Sequence, residues 1–246
     1  MKKILFIATG GTIASAKTEN GLTPAITSEE LLNAVPQVKN LCAVDTVQPY
    51  SLDSTNMCWK QWIHVAEIIR DNYAKYDGFV IAHGTDTMAY TAAALSYMVQ
   101  NSAKPVVLTG SQYPLLNVQG TDSREFTDAI DNLNFALESA AAAPAGVYLA
   151  FHRQLIHASS ALKMHTTALD AFAGTAAAEP LAHDPHPLIV HEQHIEKARS
   201  FNCVSLMLQP AAPALLLANL QAIAEQPPHA LIIQGFGTGN LAVNDA

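Results

Sequence analysis

The sequence is poor in the residues that would build a scaffold without a core. It has three cysteines in 246 residues, Cys42, Cys58 and Cys203, widely spaced, odd in number and with no Cys-x-x-Cys pair. A disulfide framework and a structural zinc site are thereby excluded, and a reducing cytoplasm fits. Charged residues are also scarce, at 14%, and basic ones scarcest: 13 Lys and Arg against 21 Asp and Glu, a formal net charge of −8. With no local Lys/Arg cluster, a nucleic-acid surface is excluded and a small molecule becomes the expected partner. Apolar runs long enough to span a membrane are missing. The one imitation of a secretory signal, Lys2-Lys3 before Ile4–Ala8, is too short and is broken by Thr9-Gly10-Gly11-Thr12. There is also little sign of disorder, because half the residues are apolar and can bury a sizeable core.

What is present alternates. Short runs at Ile4–Ala8, Gly78–Ala82, Pro105–Thr109, Gly146–Ala150 and Ala230–Gln234 have the length and β-branched content of buried strands. Helix-like stretches lie between them. Trp59–Tyr73 carries Trp62, Val65, Ala66, Ile69 and Tyr73 at spacings of three and four, Met88–Val99 is rich in Ala, Leu and Met, and Arg124–Leu137 aligns Phe126, Ile130, Leu133 and Leu137. Strand and helix in alternation predict parallel βαβ units, hence an α/β fold with an open, mostly parallel sheet flanked by helices. The stretch 182–194, AHDPHPLIVHEQH, reads as a linker. The expected organisation is an N-terminal domain over 1–182, a linker over 183–200 and a smaller, incomplete α/β domain over 201–246. In that last part, Asn202–Gln209 and Ala230–Gln234 read as strands around a helix at Ala214–Ala224. Ala140–Ala143 before Pro144 reads as a helix end.

Ligands of open α/β sheets sit at the carboxyl ends of the strands. Three of these ends deliver glycines together with hydroxyl or carboxyl side chains: Thr9-Gly10-Gly11-Thr12, His83-Gly84-Thr85-Asp86-Thr87 and Thr109-Gly110-Ser111-Gln112. Neither G-x-G-x-x-G nor G-x-x-x-x-G-K-[ST] is matched, so no nucleotide motif is satisfied. Taken singly, each turn is equally a tight turn with a cap, Thr85 serving as N-cap and Asp86 as a first-turn charge. Together they suggest chemistry. A threonine hydroxyl is a weak nucleophile and needs a proton relay beside it. A second threonine, a carboxylate and a lysine would supply one, and Lys163 sits among small and apolar residues in SALKMHTTALDAF.

The motifs ATGGTIAS, DSTNM, FVIAHGTDTMAYTAAALSYM, KPVVLTGSQ and ALKMHTTALDAF occur in this order between Lys3 and Phe172. In them the chain resembles the bacterial cytoplasmic (type I) L-asparaginases, with a looser likeness continuing through LIIQGFGTGN. The resemblance implies an L-asparagine amidohydrolase. Thr12 would be the nucleophile that forms an acyl-enzyme, and Thr85, Lys163 and Asp86 the relay that moves the proton and activates water. Asp86 would also take the substrate ammonium, and Ser54 the carboxylate, with Asp53 and Thr55 flanking it. Gly11 and Ser111 complete the substrate-binding set, and backbone amides near Gly11 and Thr85 would stabilise the oxyanion.

The resemblance implies a homodimer or homotetramer, and no metal or other cofactor. Two departures stand out. Many relatives carry a tyrosine where this chain has Leu22, some drawing it from the C-terminal domain instead, and the family's second domain extends past the GFGTGN loop, so the chain reads as truncated. A rival expectation is a non-catalytic remnant that at most binds an acidic amino acid, and a third is a phosphate- or nucleotide-binding α/β protein. Of the other residues, His183, His186, His191 and His194 lie in the linker without a carboxylate or cysteine set and are not read as ligands. His83 reads as packed, Trp59 and Trp62 as core, and Asp122 with Arg124 as a helix start.

Overall fold

The computed structural model describes residues 1–18, 21–99, 102–117, 125–179, 201–210 and 213–241. The chain forms two compact units, Met1–Ile195 and Glu196–Ala246. The first is built on a six-stranded sheet of order β4-β1-β5-β6-β7-β8. Its strands are β1 (Lys2–Ala8), β4 (Cys42–Val47), β5 (Gly78–Ala82), β6 (Pro105–Thr109), β7 (Gly146–Phe151) and β8 (Gln154–His157). The first five run parallel, and β8 returns antiparallel to β7 through a two-residue turn in which His152 and Arg153 have positive φ.

β5 and β6 are buried at every position, as apolar strands covered on both faces must be. Successive side chains go to opposite faces. Ile4, Phe6, Ala8, Val80, Ala82 and Val107 pack with Leu133, Ala136, Leu137 and Ala140 of α4 (Ala129–Ala142). The alternate set, Leu5, Ile7, Phe79, Ile81, Val106 and Leu108, is equally buried. Helices α2 (Trp59–Asn72) and α3 (Thr85–Met98) bury Ile63, Val65, Ala66 and Ile69, and Met88, Ala92 and Leu95, at helical spacings. They are joined by a bond from Trp62 Nε1 to Thr91 Oγ1, 2.8 Å.

A short helix α1 (Ser28–Asn33) starts on a capping box, in which Thr27 Oγ1 accepts from Glu30 N and the Glu30 carboxylate accepts from Thr27 N. A hairpin, β2 (Ser15–Thr18) with β3 (Gly21–Pro24), precedes it and sets Leu22 opposite Lys17. The two-residue strands β9 (Leu162–Lys163) and β10 (Phe172–Ala173) pair antiparallel. In the second unit, β11 (Cys203–Met207) and β12 (Ala230–Gln234) pair in parallel on either side of α5 (Pro213–Glu225) in sequence.

Three expectations are corrected. Trp59 is not core: it opens α2 and is 42% exposed. The helix expected from Arg124 begins at Ala129. Phe126 lies ahead of it, exposed and edge-on to Tyr113, because the Thr127 hydroxyl accepts from Ala129 N and holds the chain in a turn there. The N-cap of α3 is Gly84 rather than Thr85, which is the first helical residue. Asp122, Arg124 and the four histidines of 183–194 lie outside the described residues.

Candidate active site

The sheet places its chemistry by its order. After β1 the chain crosses to β4 on one side, and after β5 to β6 on the other. The carboxyl ends of neighbouring β1 and β5 therefore border the crevice where an open α/β sheet takes its ligands. These two ends carry Thr12 and Thr85.

They are knitted together through backbone. Thr9 N and Thr9 Oγ1 both donate to Ala82 O, at 3.0 and 2.9 Å. Gly11 has φ +81, and a Cβ added there would stand 2.2 Å from Gly84 N. One on Gly84 would stand 2.6 Å from Ser54 Oγ. Only glycine allows three loops to meet so closely. A third loop thus joins the two: Leu52 N donates to Thr9 O, Gly11 N to Leu52 O, and Thr87 Oγ1 to Ser54 O. Asp53 caps its short turn, its Oδ1 accepting from Thr55 N and Thr55 Oγ1 at 2.9 Å each. Ser54 is buried, and Asp53 and Thr55 are exposed.

Thr12 opens a single 3-10 turn over Thr12–Ala14, half-buried, and its hydroxyl bonds to none of the described residues. Thr85 and Asp86 form the first turn of α3, where the first amides have no partner within the helix and the dipole favours negative charge. Lys163 follows β8, the strand at the opposite edge of the sheet from β4. Its strand is held by Phe172, opposite it in register and packed edge-on against Phe151 at 5.0 Å. Lys163 Nζ then donates to Thr85 Oγ1 at 2.9 Å and Asp86 Oδ1 at 2.7 Å. The lysine side chain is 18% exposed and the Asp86 side chain 59%. Such an ion pair contributes little to stability, so it reads as a placed group rather than a staple.

The structure thus brings Thr85, Asp86 and Lys163 into direct contact and sets Gly11 and Ser54 against Gly84. It commits Ser111 to something else: that residue is fully buried and its hydroxyl donates to Tyr113 O at 2.5 Å. It also uses the Gly11 amide, which donates to Leu52 O.

His83 is packed, with a role sequence does not show. Nδ1 faces the Gly84 carbonyl at 2.7 Å and must carry the proton. Nε2 therefore accepts from Thr91 Oγ1 at 2.9 Å, and that oxygen accepts from Trp62 Nε1. Burial pushes the imidazole down to about 4, against the raising effect of the Gly84 carbonyl. Sequence reasoning also passed over Gln112, the polar residue closing the Thr109–Gln112 turn, whose side chain reaches Thr85. Among the described residues no group of three or more His, Cys, Asp or Glu could hold a metal, and no helix is long and apolar enough to cross a membrane. A cavity of about 240 Å³ in the second unit, lined by Leu206, Met207, Pro213, Leu216, Asn219 and Phe236 among others, has no charged lining residue.

An α/β sheet carrying a threonine–lysine–aspartate cluster at its switch point defines the class. The family model described as asparaginase, N-terminal, matches residues 3–196. L-asparaginase 1 of Escherichia coli K12 is 34% identical in an alignment covering all of this chain and 74% of that protein. Among solved structures, the thermostable L-asparaginase from Thermococcus kodakarensis aligns at TM-score 0.77 and 30% identity over 98% of this chain and 73% of its own. The probable cytoplasmic L-asparaginase from Campylobacter jejuni aligns at 0.80 and 27%, over 98% and 76%. The chain belongs to the asparaginase family and is an amidohydrolase of that type.

Proposed function

We propose that this chain hydrolyses L-asparagine to L-aspartate and ammonia through an acyl-enzyme on Thr12. Thr12 Oγ attacks the side-chain carboxamide, and its proton passes by way of Thr85 to Lys163 in its amine form. The C–N bond then breaks, the nitrogen taking a proton back and leaving as ammonia. Water attacks the resulting ester, and Thr12 regains its proton as aspartate leaves. The Thr12 and Thr85 amides face the developing oxyanion. The half-exposed Asp86 carboxylate takes the substrate ammonium, and Ser54, between Asp53 and Thr55, the carboxylate.

One observation carries this reading: Lys163 Nζ lies within hydrogen-bond reach of both Thr85 and Asp86, on loops locked by backbone to the Gly10–Thr12 turn. A threonine nucleophile needs such a neighbour. We further propose a cytoplasmic homodimer or homotetramer, to be checked by fractionation and by mass in solution. The comparisons lend no support to a non-catalytic remnant.

The test is ammonia release from L-asparagine by the chain, and by Thr12→Ala. The parent should turn over and the variant should not, while melting within a few degrees of it. Acid-quenched parent should carry an aspartyl adduct on the Thr12 peptide. Turnover in Thr12→Ala, or none in the folded parent, overturns the reading.

A further inference from the structure

Gln112 is no nucleophile, acid or base, yet its side chain touches two of the loops that build the site. The amide nitrogen donates to the carbonyls of Thr166 (3.0 Å) and Ala168 (2.9 Å), in the loop that follows Lys163. Both amide hydrogens are used there, which fixes the orientation of the group. The carbonyl end must point the other way, and it stands 3.4 Å from Thr85 Oγ1. The main chain beneath is pinned as well: Gln112 N and Tyr113 N donate to the two oxygens of Asp128, at 2.9 and 3.0 Å. Asn132 Nδ2 donates to the same carboxylate at 3.0 Å.

This arrangement sets the direction of the Thr85 proton. An ammonium group has only donors, so Thr85 Oγ1 accepts from Lys163. The Thr85 hydrogen must then go elsewhere, and Gln112 Oε1 is the acceptor that faces it. At 3.4 Å the contact is long for a hydroxyl donor. Bonds of this kind in ligand-free sites tighten once the substrate is bound.

We propose that Gln112 is a positioning residue for the hydrolysis assigned above, on which this inference rests. It holds the loop after Lys163 against the start of α3, and it takes the Thr85 hydrogen while Lys163 is an ammonium, leaving the hydroxyl to turn that hydrogen onto the lysine once the lysine is the amine that the hydrolysis needs. Without that acceptor the Thr85 hydroxyl has no fixed partner while the lysine is charged, and the loop that carries Lys163 loses its hold on α3.

One arm of the test needs no turnover. In the ¹⁵N-labelled full chain, the Gln112 side-chain amide, assigned by its loss in Gln112→Met, should exchange with solvent about 100-fold more slowly than a free glutamine amide. It should also shift in Thr85→Val. Solvent-like exchange, or indifference to Thr85→Val, overturns the proposal whether or not the chain is active.

The second arm is kinetic. Gln112→Met, which keeps length and bulk, should lower kcat about 100-fold with KM within about threefold, and its loss should not add to that of Thr85→Val. Gln112→Glu loses both hydrogens toward Thr166 and Ala168 but keeps an acceptor toward Thr85 and brings a carboxylate near the ammonium, so it should retain more kcat than Gln112→Met and reach its maximum at higher pH. A residue that only shaped the loop would lower kcat equally in both with an unmoved pH profile. That result, or kcat within about threefold of the parent in both variants, overturns the proposal. Should Gln112→Met fail to fold, Gln112→Glu and the exchange rate in the parent still decide. A folded parent that releases no ammonia sinks the functional reading instead, and the exchange arm then decides on Gln112.

Discussion

Lys163 makes two hydrogen bonds, to Thr85 and Asp86, and both partners sit on one helix turn. Lys163→Met keeps the length and apolar stem and removes only the amine. Turnover should fall by about 10³ while the melting temperature holds within a few degrees, because a partly exposed pair contributes at most about 1 kcal/mol. Unfolding of that variant would make the lysine structural. Gly11 is sensitive for the opposite reason. Gly11→Ala drives a methyl into the Gly84 backbone at a left-handed φ and should cost at least about 3 kcal/mol in urea unfolding. Gly237→Ala, also at positive φ (+51) but with nothing within 4 Å, should cost only about 1 kcal/mol. Of the site, sequence shows the residues whose type is their chemistry: Thr12, Thr85, Asp86, Lys163. It conceals the residues that act through geometry. Gln112 is one polar side chain among several in its turn, and Trp59 looks like core because indole is apolar, although its place at the first turn of α2 turns it outward.

The β5–α3 junction is the element on which the site depends, and it carries a pH dependence. The unfolded chain takes up the His83 proton near pH 6.5, the folded chain only at about 4. The stability this represents, about 3 kcal/mol, is whole above pH 6.5 and is lost as the pH falls toward 4. Urea unfolding of the parent and of His83→Gln should show this directly, the gap between them shrinking by about 3 kcal/mol from pH 7 to pH 4. A gap that does not change with pH would mean that His83 is solvated. At α1, Thr27→Ala removes the capping-box oxygen and should cost about 1 kcal/mol, read the same way. The elements legible in the sequence are those written as unbroken apolar runs. The ranges of β5, β6 and β12 were readable from their apolar runs, and the end of α4 at Ala142 from Pro144, which keeps Ala143 extended. Edge strands were not. β4 and β8 are half-exposed and mix polar with apolar residues, and β9 and β10 are two residues long and exist only through each other.

At the scale of the molecule the two units differ in kind. The first buries its central strands on both faces, whereas α5 has no buried residue and Met207, Leu215, Leu217, Ile232 and Ile233 are exposed. A parallel sheet left open in this way is weakly held. Amides of α5, β11 and β12 should therefore exchange at least about 100-fold faster than those of β1, β5 and β6 under native conditions. Uniform protection along the chain would contradict this. The glycine contact beneath the site has a different consequence. A joint made of backbone against backbone has no rotamers to relax and no side chain to trim. The separation of Thr12 from Thr85 is therefore insulated from repacking elsewhere in the core, and the core is free to vary while that spacing holds. Substrate preference, by the same token, has to be altered from the walls and the roof of the crevice, because its floor has nothing left to remove.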